Sequence, residues 1–150
     1  MKVRHEARIA AVQFLFQRDF NRDDLERALA DFWESRRGSG AIRRFADELI
    51  RGVEACRADL DARIGRYAQN WEIGRMAATD RNVMRVALFE MLHRPDIPPV
   101  VSINEAVDVA KDFSGAESGR FVNGILDRAR KDIDRPARSP AASIPGDPAP

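Results

Sequence analysis

The chain has 150 residues, and its 25 Lys and Arg nearly balance its 24 Asp and Glu. This length favours one domain that buries about 70% of its unfolded surface, enough for a core without a metal or a disulfide. Because the net charge is close to zero, a nucleic-acid site would have to be a local patch. The single cysteine, Cys56, excludes an internal disulfide, and no apolar run is long enough to span a bilayer. We therefore expect a soluble, cytoplasmic protein.

The first predicted helix runs from about Val3 to Phe20 and begins with a cluster of basic residues. Positive charge at a helix N-terminus opposes the helix dipole, so an external anion could offset a small loss of stability there. A solvated, frayed first turn is the alternative interpretation, because short basic clusters are common on soluble helices. The apolar residues expected to face the core are Ile9, Val12, Leu15, Phe16 and Phe20.

Three more helices are predicted in the middle of the chain. Asp23 is the predicted N-cap of the second helix, which ends before a glycine-rich basic loop at 36–40. The third is predicted from Ala41 to about Cys56, and a fourth, shorter helix follows it before Trp71, which is predicted to close the core.

Residues 80–131 contain three helical patterns joined by two short loops. Thr79 is the predicted N-cap of the first, while Ser102 and Glu105 have the spacing of a capping box that opens the second, a helix with Phe113 among its inward residues. In the third helix, Gly124 is predicted to let a neighbouring helix approach closely. Three amphipathic helices with short joints indicate a small bundle.

The residues after 134 are rich in Pro and Ala and have no apolar periodicity. Such composition cannot build a core, so we predict a folded domain at 1–134 and a disordered tail at 135–150.

An enzyme is not indicated, because the sequence has no Gly-rich phosphate loop, nucleophile motif or metal-ligand spacing. His93 is predicted to lie near a helix C-terminus and to interact with its carbonyls rather than to act in catalysis. We expect no cofactor.

Binding of single-stranded RNA is the stronger interpretation. It requires cations for the phosphates together with aromatic or amide groups for unstacked bases. Phe121 is the candidate aromatic residue, with a core position as the alternative, and Asn104 and Asn123 could each read a base edge or tie two helices together. The candidate cations are Lys2, Arg4, Arg8, Lys111 and Arg120.

Four strings of this chain resemble the NusB transcription antitermination family, and the likeness extends over about residues 4 to 133. They are ARIAAVQFLFQ, DRNVMRVALFE, IPPVVSINEAVDVAKDF and GRFVNGILD. The resemblance implies an all-α domain of about seven helices in two packed three-helix bundles. It also implies that the basic N-terminal segment contacts RNA, with His5 at a position where the family often has Arg. The implied RNA-binding residues are Lys2, Arg4, His5, Arg8, Lys111, Arg120 and Phe121.

The resemblance further implies the partners. NusB-like proteins bind the boxA element of nascent RNA together with NusE, a small-subunit ribosomal protein. The pair joins the antitermination complex on RNA polymerase, with NusA and NusG, and supports transcription of ribosomal RNA. Asp80 and the exposed side of its helix, including Arg81 and Glu90, correspond to the side that faces NusE. An acidic helix start favoured by the dipole is the alternative for Asp80.

Two other functions stay open. One is a protein-only scaffold with weak or no RNA binding, suggested by the thin basic cluster. The other is an accessory domain of an RNA cytosine methyltransferase, for which the chain after residue 134 is too short to supply a catalytic domain. The sequence also leaves open whether the free protein is a monomer or a homodimer.

Overall fold

The computed structural model describes residues 2–36, 40–69 and 72–133, and every regular element in these ranges is helical. The predicted all-α class is confirmed. The six α-helices are α1 (Lys2–Phe20), α2 (Leu25–Glu34), α3 (Gly40–Tyr67), α4 (Ala78–His93), α5 (Pro99–Ser114) and α6 (Ala116–Lys131), and a 3₁₀ turn covers Ile73–Arg75. The count is six rather than about seven because α3 continues through the predicted break near Cys56, where the sequence has no helix-breaking proline.

Helix α4 is the centre of the fold. All its residues from Asn82 to Met91 are buried, as expected for a helix that is covered on every side. It packs against α1, α3, α5 and α6. Helix α1 also packs against α3, and α5 packs against α6, so α4 contacts both helices of each pair. The division into two three-helix bundles stays a prediction.

Two predicted N-caps are displaced by one or two residues. Asp24, rather than Asp23, caps α2, and its carboxylate accepts a 3.0 Å hydrogen bond from the backbone N–H of Arg27. Helix α4 begins after Ala77, so Thr79 already lies within its first turn and is not the N-cap. Neither shift changes which elements exist.

The close helix contact predicted at Gly124 is wrong, because a Cβ atom there would meet nothing within 4 Å. The close approaches lie elsewhere. A Cβ on Gly52 would lie 2.1 Å from the ring of Phe89, and one on Gly119 would lie 2.5 Å from the side chain of Lys111. Gly52 therefore lets α4 pack closely on α3.

The predictions for Trp71, for the tail at 135–150 and for a domain boundary at 134 lie outside the described residues. Within the described ranges, no helix is both long and apolar enough to cross a membrane.

Candidate RNA and partner surfaces

Arg8 of the N-terminal basic cluster lies in the interior, where only 4% of its side chain is exposed. Its Nε and Nη2 atoms each donate a 2.8 Å hydrogen bond to the carboxylate of Glu90, which is also buried. Ser102 donates a third bond to Glu90, at 2.8 Å. Burial alone would lower the pKa of Arg8, but the carboxylates of Glu90 and Glu105 outweigh it and raise the pKa. Arg8 therefore joins α1 to α4 as a fixed cation.

Arg4 is buried one turn earlier on α1, with 1% of its surface exposed. Its Nη2 donates to Asp96 at 3.3 Å, and its guanidinium lies 4.9 Å from the ring centroid of Phe45. Burial, together with the nearby charge of Arg94, lowers its pKa. The geometry therefore turns both arginines of the cluster inward, away from solvent.

His5 is the described member of the cluster that reaches the surface, since the side chain of Lys2 lies outside the described residues. Its Nδ1 lies 3.1 and 3.3 Å from the two carboxylate oxygens of Glu105. Because an ionised carboxylate only accepts, Nδ1 carries the proton and donates. Glu105 also accepts a 3.0 Å bond from Arg8, so the predicted capping box is not formed. The physical reason is that α5 already begins at Pro99, whose ring suits the first helical position.

The other predicted RNA contacts lie on α6 and at the end of α5. Lys111 and Arg120 are exposed, and the aliphatic part of the Lys111 side chain lies against Gly119, the residue before Arg120. Phe121 is half-buried and lines a groove of about 240 Å³. The groove is lined by Ala68, Gln69, Arg120, Phe121, Gly124, Ile125 and Arg128.

Cations and an aromatic ring around an open groove are what unstacked nucleotides require. Gly124 leaves open space in this groove, and Gln69 at its rim has a left-handed backbone with a φ of 39°. Ser118 of α6 contacts Asp80 at the start of α4, whereas Arg8 of α1 contacts Glu90 ten residues later. These two contacts therefore lie about 15 Å apart along α4.

The predicted partner residues on α4 are mostly covered. The prediction that Glu90 lies on the exposed side is wrong, because α4 is enclosed by four helices. Asp80 is buried as well, and Ser118 donates to its Oδ2 at 3.4 Å. Burial raises the pKa of Asp80, although the bond from Ser118 opposes this. Arg81 is partly exposed and donates to Asp19 of α1 at 2.8 Å.

Asp19 is the anionic centre that joins α1, α3 and α4. It accepts hydrogen bonds from the guanidinium groups of Arg57, Arg81 and Arg85 and from the amide of Asn82. Burial would raise its pKa, but the bond from Arg81 and the charge of Arg85, with the other bonds, lower it to about 2.

We predict that the Asp19 network makes stability depend on acid pH. A folded-state pKa of about 2, against 3.8 for the unfolded chain, contributes about 2 kcal/mol above pH 4, which is lost as the pH falls from about 4 to 2. Urea unfolding at pH 5.5 and pH 2 should therefore show the difference between the unsubstituted protein and Asp19→Asn shrinking by about that amount. A constant difference would contradict the prediction, and Asp112→Asn, at an exposed carboxylate, is the control.

An exposed aromatic pair beside this network was missed from the sequence. Phe16 and Phe20 were expected in the core, but they are 39% and 71% exposed, with ring centroids 5.3 Å apart. Phe113 was also expected in the core, but it is 41% exposed. Helix α1 carries more apolar residues than its buried face can cover, because Ala10, Ala11, Val12, Phe14 and Leu15 already fill that face. This excess of apolar residues was the signal in the sequence that could have revealed the exposed pair.

The comparisons with known proteins agree with this architecture. The model of the NusB family matches residues 5–131. The transcription antitermination protein NusB of Desulforapulum autotrophicum is 45% identical over 136 residues, which cover 88% of this chain and 95% of that protein. A structure of T. maritima NusB is 39% identical, with a TM-score of 0.79 over 88% of this chain and 93% of that one. A crystal structure of NusB and NusE with double-stranded RNA shares the fold at 22% identity and a TM-score of 0.79, over 87% of this chain and 98% of that one. The chain belongs to the NusB family.

Proposed function

We propose that this protein is a cytoplasmic, non-enzymatic transcription antitermination factor that binds boxA RNA together with NusE. The observation that carries the proposal is the 45% identity to an antitermination protein along nearly the whole length of both chains. The shared fold with a NusB that was crystallised with NusE and RNA supports it further. On RNA polymerase, the pair would act with NusA and NusG during transcription of ribosomal RNA.

The proposed RNA surface combines Lys111, Arg120 and Phe121 at the α6 groove with His5 and Lys2 at the start of α1. Lys111 and Arg120 are exposed and can pair with phosphates, while the ring of Phe121 lines a groove that can admit a base. Arg8 supports this surface by holding α1 on α4, and Arg4 supports it by bonding Asp96 in the connection between α4 and α5.

The proposed NusE surface includes Arg81 and extends onto α1 through Phe16 and Phe20, while the buried Asp80 supports it through its contact with Ser118. Asp19 lies between Phe16 and Phe20 in the sequence of α1, and its carboxylate accepts a hydrogen bond from Arg81 of α4. The aromatic pair and the start of α4 are therefore neighbours. Glu90 contributes to this surface by fixing α1 rather than by direct contact. Exposed aromatic residues beside charged ones are typical anchors of protein interfaces.

Replacing Phe16 by Asp should weaken NusE binding at least about tenfold, because an aromatic anchor is lost and a charge enters the interface. The folded state should be little affected, since the ring is already exposed. Isothermal titration calorimetry with purified NusE measures the effect. Phe113→Asp is a matched control at nearly equal exposure on α5. Equal affinities of the two variants would place the NusE surface elsewhere.

In vitro transcription tests the function itself. The template carries boxA upstream of a terminator, and the reaction contains RNA polymerase, NusA, NusE and NusG. Adding this protein should raise the fraction of transcripts that pass the terminator, and a template with scrambled boxA should show no rise. Equal read-through on both templates would contradict the proposal.

A protein-only scaffold is the second candidate, and one observation favours it. Arg4 and Arg8 are buried, with Arg4 paired to Asp96 and Arg8 to Glu90, which leaves fewer cations for phosphates than the sequence suggested. Their replacement by Ala cannot separate the two functions, because it would break buried ion pairs. Arg120→Ala can, since this exposed side chain should matter for RNA binding and not for folding. A scaffold would bind NusE without measurable affinity for RNA.

A further inference from the structure

Glu105 of α5 holds a position beside the start of α1 that its role in folding does not explain. Its carboxylate accepts from His5 Nδ1 at 3.1 Å and from Arg8 Nη1 at 3.0 Å. Both donors belong to the basic cluster that the proposed function assigns to the RNA side of the molecule. Glu105 also stays accessible to water, with 21% of its side chain exposed.

The charge of Arg8 is balanced without Glu105. Glu90 binds Arg8 through both carboxylate oxygens at 2.8 Å and is itself 1% exposed, and Ser102 satisfies it further. A two-bond pairing of this kind between guanidinium and carboxylate is the strongest ion pair that proteins form. Arg8 is therefore already paired when it donates a further hydrogen bond to Glu105. This bond lies at the surface end of the basic cluster.

A carboxylate and a phosphate offer the same kind of acceptor, because each presents anionic oxygens to guanidinium and imidazole N–H groups. An RNA phosphate that approached His5 would compete with Glu105 for the same donor. The two anions would also repel each other across a short distance, so the phosphate could bind there only by displacing Glu105.

We propose that Glu105 is an internal competitor for RNA phosphate at the start of α1 and thereby lowers the affinity of the protein for RNA. The inference rests on the proposed function. Contacts to phosphates carry no sequence information, so a competitor at this position weakens binding to every RNA alike. RNA that is also held at the α6 groove would displace Glu105 at the same cost in free energy. Binding of boxA and of unrelated RNA is thus weakened by a similar factor.

Glu105→Gln tests this directly by fluorescence anisotropy with labelled boxA RNA and with scrambled RNA at pH 7. We expect the affinities for scrambled RNA and for boxA to rise by a similar factor, about 3- to 10-fold, so that the preference for boxA stays nearly unchanged. The slope of log affinity against log salt should steepen by at most about 0.7, the value for one more contact between a full cation and a phosphate on a single strand. Asp108→Asn is the matched control, since it removes one negative charge from an exposed position one turn along α5. The RNA affinity of Asp108→Asn should differ by less than about twofold from that of the unsubstituted protein.

Two further variants separate the competitor from a structural role. Glu105→Asp keeps the net charge but shortens the side chain, so it should also raise the affinity for scrambled RNA if it frees His5. Adding His5→Ala to Glu105→Gln should remove the gain, because the released imidazole supplies it. Unchanged or lower affinity of Glu105→Gln, or of Glu105→Asp should the first variant fail to fold, would overturn the inference and leave the proposed function intact. Absence of RNA binding by the unsubstituted protein would overturn both.

Discussion

Replacing Glu90 by Ala is expected to lower the free energy of unfolding by about 3 to 5 kcal/mol, because it leaves a buried guanidinium without its main counter-charge. The pair that is lost joins α1 to α4 across 82 residues of sequence, through two 2.8 Å hydrogen bonds. Ser102 loses its acceptor at the same time. The remaining contact from Glu105 to Arg8 should keep the loss toward the lower end of this range.

Urea denaturation followed by circular dichroism measures this loss. Arg63→Ala is the control, because it breaks an ion pair with Asp59 that lies on the exposed side of α3, and such pairs contribute at most about 1 kcal/mol. Replacing Arg8 and Glu90 together by Met should restore much of the stability, since apolar side chains of similar volume often substitute well for a buried ion pair. A loss below about 1 kcal/mol for Glu90→Ala would show that Arg8 is not held in the interior.

Replacing Gly52 by Ala should lower the free energy of unfolding by about 1 to 3 kcal/mol, because the added methyl group overpacks the contact between α3 and α4. Its Cβ would lie 2.1 to 2.8 Å from three ring atoms of Phe89, whose side chain is itself buried. The ring would have to leave its place against His93, which it contacts at a centroid distance of 5.1 Å.

Gly65→Ala on the same helix should have the opposite sign. A Cβ at Gly65 meets nothing within 4 Å, so the variant should gain the intrinsic advantage of Ala over Gly in a helix, about 0.5 to 1 kcal/mol. Thermal unfolding of the two variants side by side measures both effects. A stabilised Gly52→Ala variant would mean that the two helices are not in close contact at this point.

Local patterns were enough to predict the elements of this fold. The apolar spacing and the prolines located α4, α5 and α6 to within a few residues, because these signals act within one or two turns. The break predicted near Cys56 was wrong. Nothing in the local sequence ends α3 there, and packing against α1 and α4 supports the full 28-residue helix.

The polar interior could not be predicted in the same way. Arg8 and Glu105 are 97 residues apart, and no local signal says that their side chains meet. Ser102 and Glu105 did fit a local motif, yet both are used in contacts with other helices. Basic residues near a chain start resemble a solvent-facing patch until it is known that carboxylates of α4 and α5 lie opposite them.

The exposure of aromatic residues was the other feature that the sequence did not predict. Phe16 lies on the same helix as a well-filled apolar face, and a sequence alone does not say how much of α1 its neighbours cover. Periodicity identifies the preferred core side, whereas the width of the covered surface depends on how many helices pack against it. The exposed pair of Phe16 and Phe20 therefore became visible only once α1 and its neighbouring helices were placed together.

The most direct test of the proposed function is the affinity for labelled boxA RNA, measured by fluorescence anisotropy at near-physiological salt. The titration is made with and without NusE, and a scrambled RNA of the same length is the control. We predict a preference for boxA over the scrambled RNA and a higher affinity for boxA when NusE is present, because NusE extends the RNA surface. Equal binding of both RNAs under both conditions would contradict an antitermination role through boxA and would favour the protein-only scaffold.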